Sequence, residues 1–386
     1  MTMTTAAPPV RAASQQFLRM EAAPVLPPPN FSTGAVAWLR KNLFSDWKSS
    51  LLSVVALAFV AWATFNLLDL FFFHAVWSAP DGEACRPASS GICWPFIVQK
   101  LPYFVYGSYP LDQRWRVDIA LALGAVLIAW LLWDNAPRRD IAAGLFFIVY
   151  PIAGFFLLSG FEAIGLRYVD TNDWGGIFVS LMLALVGIVF SLPLGVILAL
   201  GRRSALPIIK TFSVVYIEFL RGVPFITVLF MAVHMLPLFV PPRWQPDKML
   251  LPIIGTVMFA SAYMAEVVRA GLQAMPKGQF EGAMAMGLGY WQMMRLIILP
   301  QALTLVIPGI VNTFIGLFKD TTLVSIVGIF DFLEAVIVAI KDLSWAGPKL
   351  AITAFSFAAL FYWVFCFSMS RYSQFIERKL NAGKRR

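Results

Sequence analysis

Two acid–base pairs lie inside apolar stretches of the sequence, where charge is costly. Glu218 and Arg221 are three residues apart, and Glu266 and Arg269 repeat that spacing. A charged side chain at the centre of a bilayer costs roughly 2.5–3.5 kcal/mol on insertion scales, so it needs a partner or a wet cavity. Residues three apart share one face of a helix. The spacing therefore predicts two ion pairs, each within one helix, that lock neighbouring helices together.

The same charges allow a second interpretation, a path for a zwitterion. Fixed charges of both signs, together with amides and hydroxyls, can replace the hydration of a carboxylate and an ammonium group. Lys319 also fits a third role, an interfacial anchor whose ammonium group snorkels to water. The candidate path residues are Glu218, Arg221, Glu266, Asn312, Lys319, Asp320 and Thr322.

No residue pattern in the sequence predicts catalysis or a bound cofactor. The phosphate loop G-x-x-x-x-G-K-[ST] is absent, and the two lysines followed by Ser or Thr lack its preceding glycines. The two histidines are isolated, so we expect no metal site. Cys366 lies in an apolar run, where we expect an inert thiol. Cys85 and Cys93 share a polar segment and can form a disulfide if it faces an oxidising space.

The composition is that of a membrane protein. Hydrophobic residues make up 59% of the 386 residues, charged residues only 13%, and the mean hydropathy is +0.75. A soluble domain is about a quarter charged and less than half apolar. The net charge of +9 does not require a nucleic-acid partner, because the basic residues cluster at the ends of apolar stretches, as the positive-inside rule describes.

Seven apolar stretches are clear candidates for membrane spans, and two further stretches are ambiguous. Residues 205–240 are too long for one simple helix, and residues 323–340 contain Asp331 and Glu334. The clear stretches are Leu51–Phe73, Ile119–Trp133, Ile141–Gly160, Ile177–Leu200, Leu251–Val268, Leu299–Phe318 and Leu350–Met369.

Basic residues resolve both ambiguities. If 205–240 crosses once and 323–340 does not cross, Arg138–Arg139, Arg202–Arg203 and the basic C-terminal tail all face the cytoplasm, as do both termini. This gives about eight transmembrane helices in an all-α polytopic protein. We predict a tail and an interfacial helix in 1–48, three spans in 49–170 with a polar loop over 74–117, a five-span core in 171–376, and a basic tail in 377–386.

The stretch from Gln279 to Ala302 differs from its apolar neighbours. It contains no proline before Pro300, so one helix can run through it, and Glu281 suits the start of a helix. It is rich in apolar residues (Ala283, Met284, Met286, Leu288 and Trp291), too many for a solvated loop, and methionines on a surface are typical of a groove or a partner-binding site. Gly287 and Gly289 either admit another backbone or break the helix into two pieces.

This stretch resembles the coupling loop of importers driven by ATP-binding cassettes. Six residues fall on that family's pattern, with Gly282 replacing an alanine: Glu281, Ala283, Gly287, Ile297, Leu299 and Pro300. The resemblance implies a type I importer core with three added N-terminal helices, and a coupling helix at about 276–294. It implies that Glu281, Ala283, Met286, Gly287 and Leu288 meet a separate ATPase.

Three further motifs resemble the permeases for polar amino acids, and the three added spans resemble the general L-amino-acid branch, with the smaller of its two permeases as the closest match. The three motifs are Tyr216–Pro224, Ala265–Gln279 and Lys319–Ser325. The resemblance implies an inner-membrane permease that pairs with a second, related permease. Its other partners would be an ATPase dimer that binds ATP and Mg²⁺ and a periplasmic amino-acid-binding protein. The polar loop over 74–117 would then be periplasmic.

Two rival functions remain open on the sequence. An ion-coupled secondary transporter would use Glu218 and Glu266 as proton carriers, and broken spans such as 205–240 also occur in that class. A membrane scaffold would gain nothing from Glu218, Glu266 and Asn312 at membrane depth.

Overall fold

The computed structural model describes residues 34–87, 89–133, 135–162, 165–241 and 246–382, so the predicted tail over 1–32 and the last basic residues lie outside it. In these ranges the secondary structure is helical apart from two isolated β-bridges. The α-helices are α1 (Ala35–Asn42), α2 (Trp47–Leu68), α3 (Trp94–Tyr106), α4 (Arg114–Leu132), α5 (Arg139–Gly144), α6 (Tyr150–Ser159), α7 (Ile177–Arg202), α8 (Pro207–Gly222), α9 (Phe225–Phe230), α10 (Leu250–Ala274), α11 (Lys277–Ala285), α12 (Tyr290–Met293), α13 (Leu299–Leu305), α14 (Ile307–Asp320), α15 (Phe332–Ile340) and α16 (Leu350–Ala382).

Seven helical stretches of the described residues are long and apolar enough to cross a bilayer, and the bent pair of α8 and Phe225–Phe239 would add an eighth. The pair meets at 112°, where Pro224 interrupts the helix. The all-α polytopic fold is therefore confirmed. The seven stretches are Trp47–Phe73, Leu111–Leu132, Arg139–Ser159, Ile177–Arg202, Leu250–Ala274, Ile307–Val327 and Leu350–Leu380.

The chain divides into two units, residues 1–68 and 69–386. In the first unit the predicted interfacial helix is shorter than expected, because α1 ends at Asn42 and a turn precedes α2. The carboxylate of Asp46 accepts the backbone N–H of Ser49 at 2.7 Å and so caps the start of α2.

Helices α7 and α10 form the centre of the core and run in the same direction. A Cβ atom on Gly187 would lie 3.3 Å from Thr256, and one on Gly195 would lie 2.7 Å from Met264. A step along α7 from the first contact to the second is matched by an equal step in the same direction along α10, so the two helices are parallel. Two parallel helices need one crossing between them. The structure thus agrees with a single crossing for 205–240, since a hairpin there would make α7 and α10 antiparallel.

The predicted span Leu299–Phe318 is interrupted in the structure. Helix α13 ends at Leu305 and α14 begins at Ile307, because Pro308 cannot donate to the carbonyl of Thr304 and its ring crowds that position. The membrane-spanning stretch is instead Ile307–Val327. The prediction missed this break because it considered only Pro300.

The segment predicted as a polar loop over 74–117 is largely ordered and partly buried. It contains α3, whose Phe96 and Phe104 are fully buried. The Phe104 ring lies 6.1 Å from Phe332 of α15 and 5.7 Å from Phe357 of α16, measured between centroids. The prediction of a loop was wrong here. The stretch that forms α3 is too short for a membrane span and contains Lys100, so nothing in the sequence indicated a helix. Its burial comes from its aromatic face, which packs on the core.

Helix α15 packs along α3. The residues before and after α15 both contact the region where α7 begins and α3 lies. Gly176, which starts α7, donates its N–H to Phe330 at 2.9 Å, immediately before α15. After α15, Asp342 accepts a hydrogen bond from Lys100 of α3. The structure agrees with the prediction that residues 323–340 do not cross the membrane. The first residues of that range, however, belong to the last turns of the preceding span, and α15 itself begins at Phe332.

One of the two acidic residues in the apolar stretch 323–340, Asp331, has a structural role. Its fully buried carboxylate accepts the N–H groups of Leu333 and Glu334 and caps α15. A disulfide joins Cys85 and Cys93 beside the loop that follows α15. We call this region, with α3, α15 and the disulfide, the α3 end of the core, and the opposite region, around α11, the α11 end.

Candidate functional site: the α11 segment and a charged cluster

Helix α11 is joined to α10 by a two-residue extended link. Met275 has ψ of 130° and Pro276 has ψ of 139°, so neither continues a helix. Proline disfavours helical backbone in the residue before it, which explains the sharp end of α10. The predicted helix start at Glu281 was wrong, because α11 begins directly after Pro276 and Glu281 lies in its second turn.

The predicted single helix across Gln279–Ala302 is also wrong, and the alternative of two pieces is right. Gly287 has φ of +73° and ends α11. Its N–H donates to Met284 at 2.9 Å, and the N–H of Leu288 donates to Ala283 at 3.2 Å. These two bonds form a Schellman motif, which needs a left-handed residue that glycine supplies without steric strain.

Each predicted coupling residue has a distinct place on this segment. Ala283 is only 2% exposed and packs in a cluster with Leu272, Met293 and Ile298, while Leu288 lies at its edge. These two residues hold the segment to the core. The residues available to a partner are Glu281, Met286, which is 80% exposed, and Gly287. Met284 and Trp291, two of the apolar residues that set this stretch apart in the sequence, are also exposed, although they were not among the predicted coupling residues.

A cavity of about 410 Å³ opens beside α11. Arg203 forms one wall, where its guanidinium lies 5.7 Å from the centroid of the Phe280 ring and donates to the Leu272 carbonyl at 3.3 Å. Apolar surface and charges of both signs alternate around its rim. The lining residues are Arg203, Leu272, Gln273, Met275, Lys277, Phe280, Glu281 and Met284.

The predicted ion pairs prove to be parts of one cluster across three helices. Glu266 of α10 accepts from Arg269 at 2.7 Å, as the spacing predicted, and from Arg202 of α7 at 2.7 Å. Arg221 of α8 is 3.7 Å from the same carboxylate. Glu218 pairs with Arg202 at 2.8 Å.

The predicted pair between Glu218 and Arg221 is therefore wrong. Both lie on one face of α8, but neighbouring helices offer each a better partner: Arg202 takes Glu218, and Arg221 faces Glu266. Arg202 is the residue that the sequence argument missed. It ends α7 and looked like a basic residue beside a loop, and its partners come from separate helices.

This cluster carries an excess of positive charge and is unevenly exposed. It contains three guanidinium groups, those of Arg202, Arg221 and Arg269, against two carboxylates. The Glu266 side chain is 14% exposed, whereas that of Glu218 is 54% exposed. Glu266 is thus the centre of the cluster, and Glu218 is its open side.

The remaining predicted path residues lie elsewhere. Lys319 and Asp320 end α14, and Thr322 donates its hydroxyl to the Lys319 carbonyl at 2.9 Å. These residues lie close to Asp331 and Tyr362, towards the α3 end. Asn312 is exposed on α14, about one turn after Gly309, which packs against Val267 of α10. The structure therefore does not bring the seven candidates into one site.

Comparison with known proteins assigns the family. A family model described as "Binding-protein-dependent transport system inner membrane component" matches residues 191–382, which include the charged cluster and α11. Over 362 residues the chain is 48% identical to the inner membrane amino-acid ABC transporter permease protein YhdY of Escherichia coli (strain K12), covering 94% of this chain and 97% of that protein. The chain belongs to this family of ABC transporter permeases.

Two more relatives place the extra N-terminal spans in context. The permease is 38% identical to the glutamate/glutamine/aspartate/asparagine transport system permease protein BztC of Rhodobacter capsulatus, covering 96% of this chain and 99% of that one. It is 31% identical to the L-cystine transport system permease protein TcyB of Bacillus subtilis (strain 168), covering 57% of this chain but 92% of that one. The permease is thus longer than TcyB by more than a third of its own length.

Proposed function

We propose that this permease takes up L-amino acids across the bacterial inner membrane by alternating access. The names of YhdY and BztC support amino acids as the substrate class. The chain has no phosphate loop of its own, so ATP and Mg²⁺ bind a partner ATPase dimer. A periplasmic binding protein delivers the substrate, and a second, related permease subunit completes the passage.

The observation that carries the coupling role is the two-sided character of the α11 segment. Ala283 fixes one side to the core, while Met284, Met286 and Trp291 leave an apolar surface exposed on the other. Exposed methionine and aromatic side chains of this kind are typical of protein interfaces. The segment docks in a surface cleft of the ATPase and moves about the Met275–Pro276 link.

ATP binding then biases the conformation of the permease. Closure of the ATPase dimer pulls α11 inward and favours the outward-open state, and hydrolysis resets it. A ligand shifts an equilibrium only through its different affinity for the two states. Here the difference comes from the nucleotide-bound ATPase, which holds α11 in one of its two positions.

The charged cluster lines the α11 end of the path in this proposal, and Lys319, Asp320 and Thr322 line a stretch nearer the α3 end. The excess guanidinium charge suits a substrate that always carries a carboxylate, and the open side chain of Glu218 suits its ammonium group. The cluster also locks α7, α8 and α10 together, and the two roles are compatible.

Orientation follows from the basic residues around the α11 end, which we place in the cytoplasm together with both termini. Arg202, Arg203, Lys277 and Arg295 lie on or beside this segment and carry the charge that the positive-inside rule assigns to that side. The disulfide at the α3 end then lies in the periplasm, where disulfides persist.

A double substitution tests the coupling role in membrane vesicles that contain the intact transporter. Replacing Glu281 and Gly287 together by alanine changes the docking surface and the backbone turn, so hydrolysis should continue while uptake falls. Gly282→Ala is the matched control, because Gly282 lies on the same helix with open space around its Cβ position. Normal uptake in the double variant would contradict the proposal.

An ion-coupled secondary transporter is the rival function. It would use Glu266 as a proton carrier, but the three guanidinium contacts of that carboxylate would have to break in every cycle. Uptake that persists after the ion gradients collapse and stops without ATP supports the ABC mechanism. The opposite result supports the rival, and no uptake under either condition would leave a scaffold role.

A further inference from the structure

Two adjacent residues at the end of α7 contact two different sites. Arg202 reaches into the charged cluster, where its guanidinium binds Glu218 at 2.8 Å and Glu266 at 2.7 Å. Arg203 points the other way, onto the Phe280 ring of α11 and the wall of the cavity beside it. The α11 surface and the ion cluster are thus separated by a single peptide unit.

The last turn of α7 is closed by backbone hydrogen bonds, so a displacement of Arg203 also moves Arg202. A Cβ atom on Gly201 would lie 2.2 Å from the Ser213 hydroxyl oxygen, which shows how closely α7 approaches α8 there. The N–H of Arg203 donates to Leu200 at 3.0 Å, and that of Ser204 donates to Gly201 at 3.0 Å. Packed elements of this kind move as units rather than deforming continuously.

Helix α11 has more freedom than the end of α7. Along the chain it is joined to α10 by the extended Met275–Pro276 link, and the Arg203 side chain contacts both helices: Leu272 on α10 and Phe280 on α11. A swing of α11 about this link changes the position of Phe280 relative to Leu272. Arg203 cannot keep both contacts through such a swing.

We propose that Arg202 and Arg203 together transmit the movement of α11 to the charged cluster. When α11 moves, Phe280 displaces Arg203, the end of α7 shifts, and Arg202 releases one of its two carboxylates. Glu218 is the carboxylate released, because it is the more exposed and contacts only Arg202 within the cluster. This inference rests on the proposed function, since it needs α11 to be moved by an ATPase.

The chemistry of Arg202 favours this role over a simple charge at the helix end. Its planar guanidinium bridges carboxylates from two different helices, a geometry that a lysine ammonium group reproduces poorly. The Arg202–Glu218 contact involves partly exposed groups, so it is weak enough to break during a cycle while the contact with the more buried Glu266 persists. In this connection both arginines act as positioning residues, and Arg203 lies outside the charged cluster that lines the proposed path.

The test uses the complete transporter in proteoliposomes, with ATP hydrolysis and amino-acid uptake measured on the same preparation. The variants are Arg202→Met, Arg203→Met and the double substitution. Arg203→Met changes a residue outside the charged cluster, so this variant should assemble and hydrolyse ATP near the wild-type rate, while its uptake per ATP falls at least about fivefold, the low end of typical coupling between two sites. Arg202→Met should lower uptake per ATP at least as far. The double variant should lose no more than the worse single variant, because both residues act in one connection.

Lys210→Met is the matched control, because Lys210 is an exposed basic residue on α8 outside the cluster. Its uptake per ATP should equal that of the wild type. Arg203→Lys should recover part of the loss by keeping a cation at the cavity wall.

Several results would overturn the inference. The first is an unchanged uptake per ATP in Arg203→Met, and the second is a loss in the double variant equal to the product of the two single losses. The inference also fails if Arg203→Met does not bind the ATPase, or if hydrolysis and uptake both fall in proportion to the amount of assembled complex. The proposed function fails separately if the wild-type transporter shows no ATP-dependent uptake.

Discussion

The two ends of the core are held together by different kinds of contact. At the α3 end, a disulfide, a buried aromatic cluster around Phe104 and the Lys100–Asp342 ion pair join α3 to α15 and α16. At the α11 end, a buried cluster around Ala283 that is mainly aliphatic and methionine is supplemented by partly exposed ion pairs and a two-residue link. Close-packed aromatic side chains have one arrangement, whereas exposed ion pairs exchange at little cost. The comparison indicates a fixed α3 end and a movable α11 end.

The largest expected effect is on the aromatic cluster. Phe104→Ala removes a fully buried ring and should lower the stability by about 3–5 kcal/mol, measured as a reduced melting temperature in detergent. Val98→Ala on the same helix is the control, because Val98 is 72% exposed and its loss should change little. Equal melting temperatures for the two variants would show that α3 does not hold this end together.

Removal of the disulfide should have the next largest effect. Cys85→Ser with Cys93→Ser opens a short loop, since the cysteines are eight residues apart, and should cost about 2–3 kcal/mol by loop entropy. Uptake per ATP should stay unchanged, because the coupling contacts lie at the other end. A changed uptake per ATP would show that the α3 end also takes part in coupling, against the distinction between a fixed and a movable end.

Gly287→Ala sharpens the comparison at the α11 end. A side chain at φ of +73° should cost about 1–2 kcal/mol locally. Gly282→Ala should instead be neutral or slightly stabilising, because Gly282 lies inside α11 with a negative φ and open space around it. We expect uptake per ATP to fall in Gly287→Ala only. Similar behaviour of the two variants in the paired uptake and hydrolysis assay would show that the turn is unimportant.

The smallest effect concerns pH. The hydrogen bond from Lys100, supported by Ser344, lowers the pKa of Asp342 to about 2. A carboxyl whose pKa is lower in the folded than in the unfolded state stabilises the fold above about pH 4, and this contribution disappears as the pH falls towards 2. Asp342 is about one-third exposed, so we expect less than about 1 kcal/mol. The difference in melting temperature between the wild type and Asp342→Asn should shrink between pH 5 and pH 2; a constant difference would argue against the ion pair.

Sequence reasoning predicted the membrane fold well, because span length and basic side chains act locally. The single crossing over 205–240 depended on charge, and the parallel packing of α7 and α10 agrees with it. Helix α3 was missed because a run of 13 residues that contains Lys100 is too short for a span. Its burial depends on aromatic partners more than 200 residues away in the sequence.

The site was less predictable than the fold for a physical reason. A spacing of three residues places Glu218 and Arg221 on one face of a helix, but it does not say which neighbouring helix offers a better partner. Glu218 pairs with Arg202 because α7 ends beside α8, and the order of residues in the sequence does not reveal this proximity. The break at Gly287 was foreseeable as one of two options, and the choice depended on Leu288 packing back onto the core.

One labelling experiment tests the central claim, that the α11 end faces the cytosol and the α3 end faces the periplasm. Single cysteines replace Met286, which is 80% exposed, and Leu343, which is 83% exposed beside the disulfide loop, in a chain with Cys366→Ala. Intact cells are treated with a membrane-impermeant thiol reagent before and after permeabilisation. We predict labelling of Leu343→Cys in intact cells and of Met286→Cys only after permeabilisation under conditions that release the ATPase, which covers Met286 in the assembled transporter. Labelling of Met286→Cys in intact cells would contradict the account.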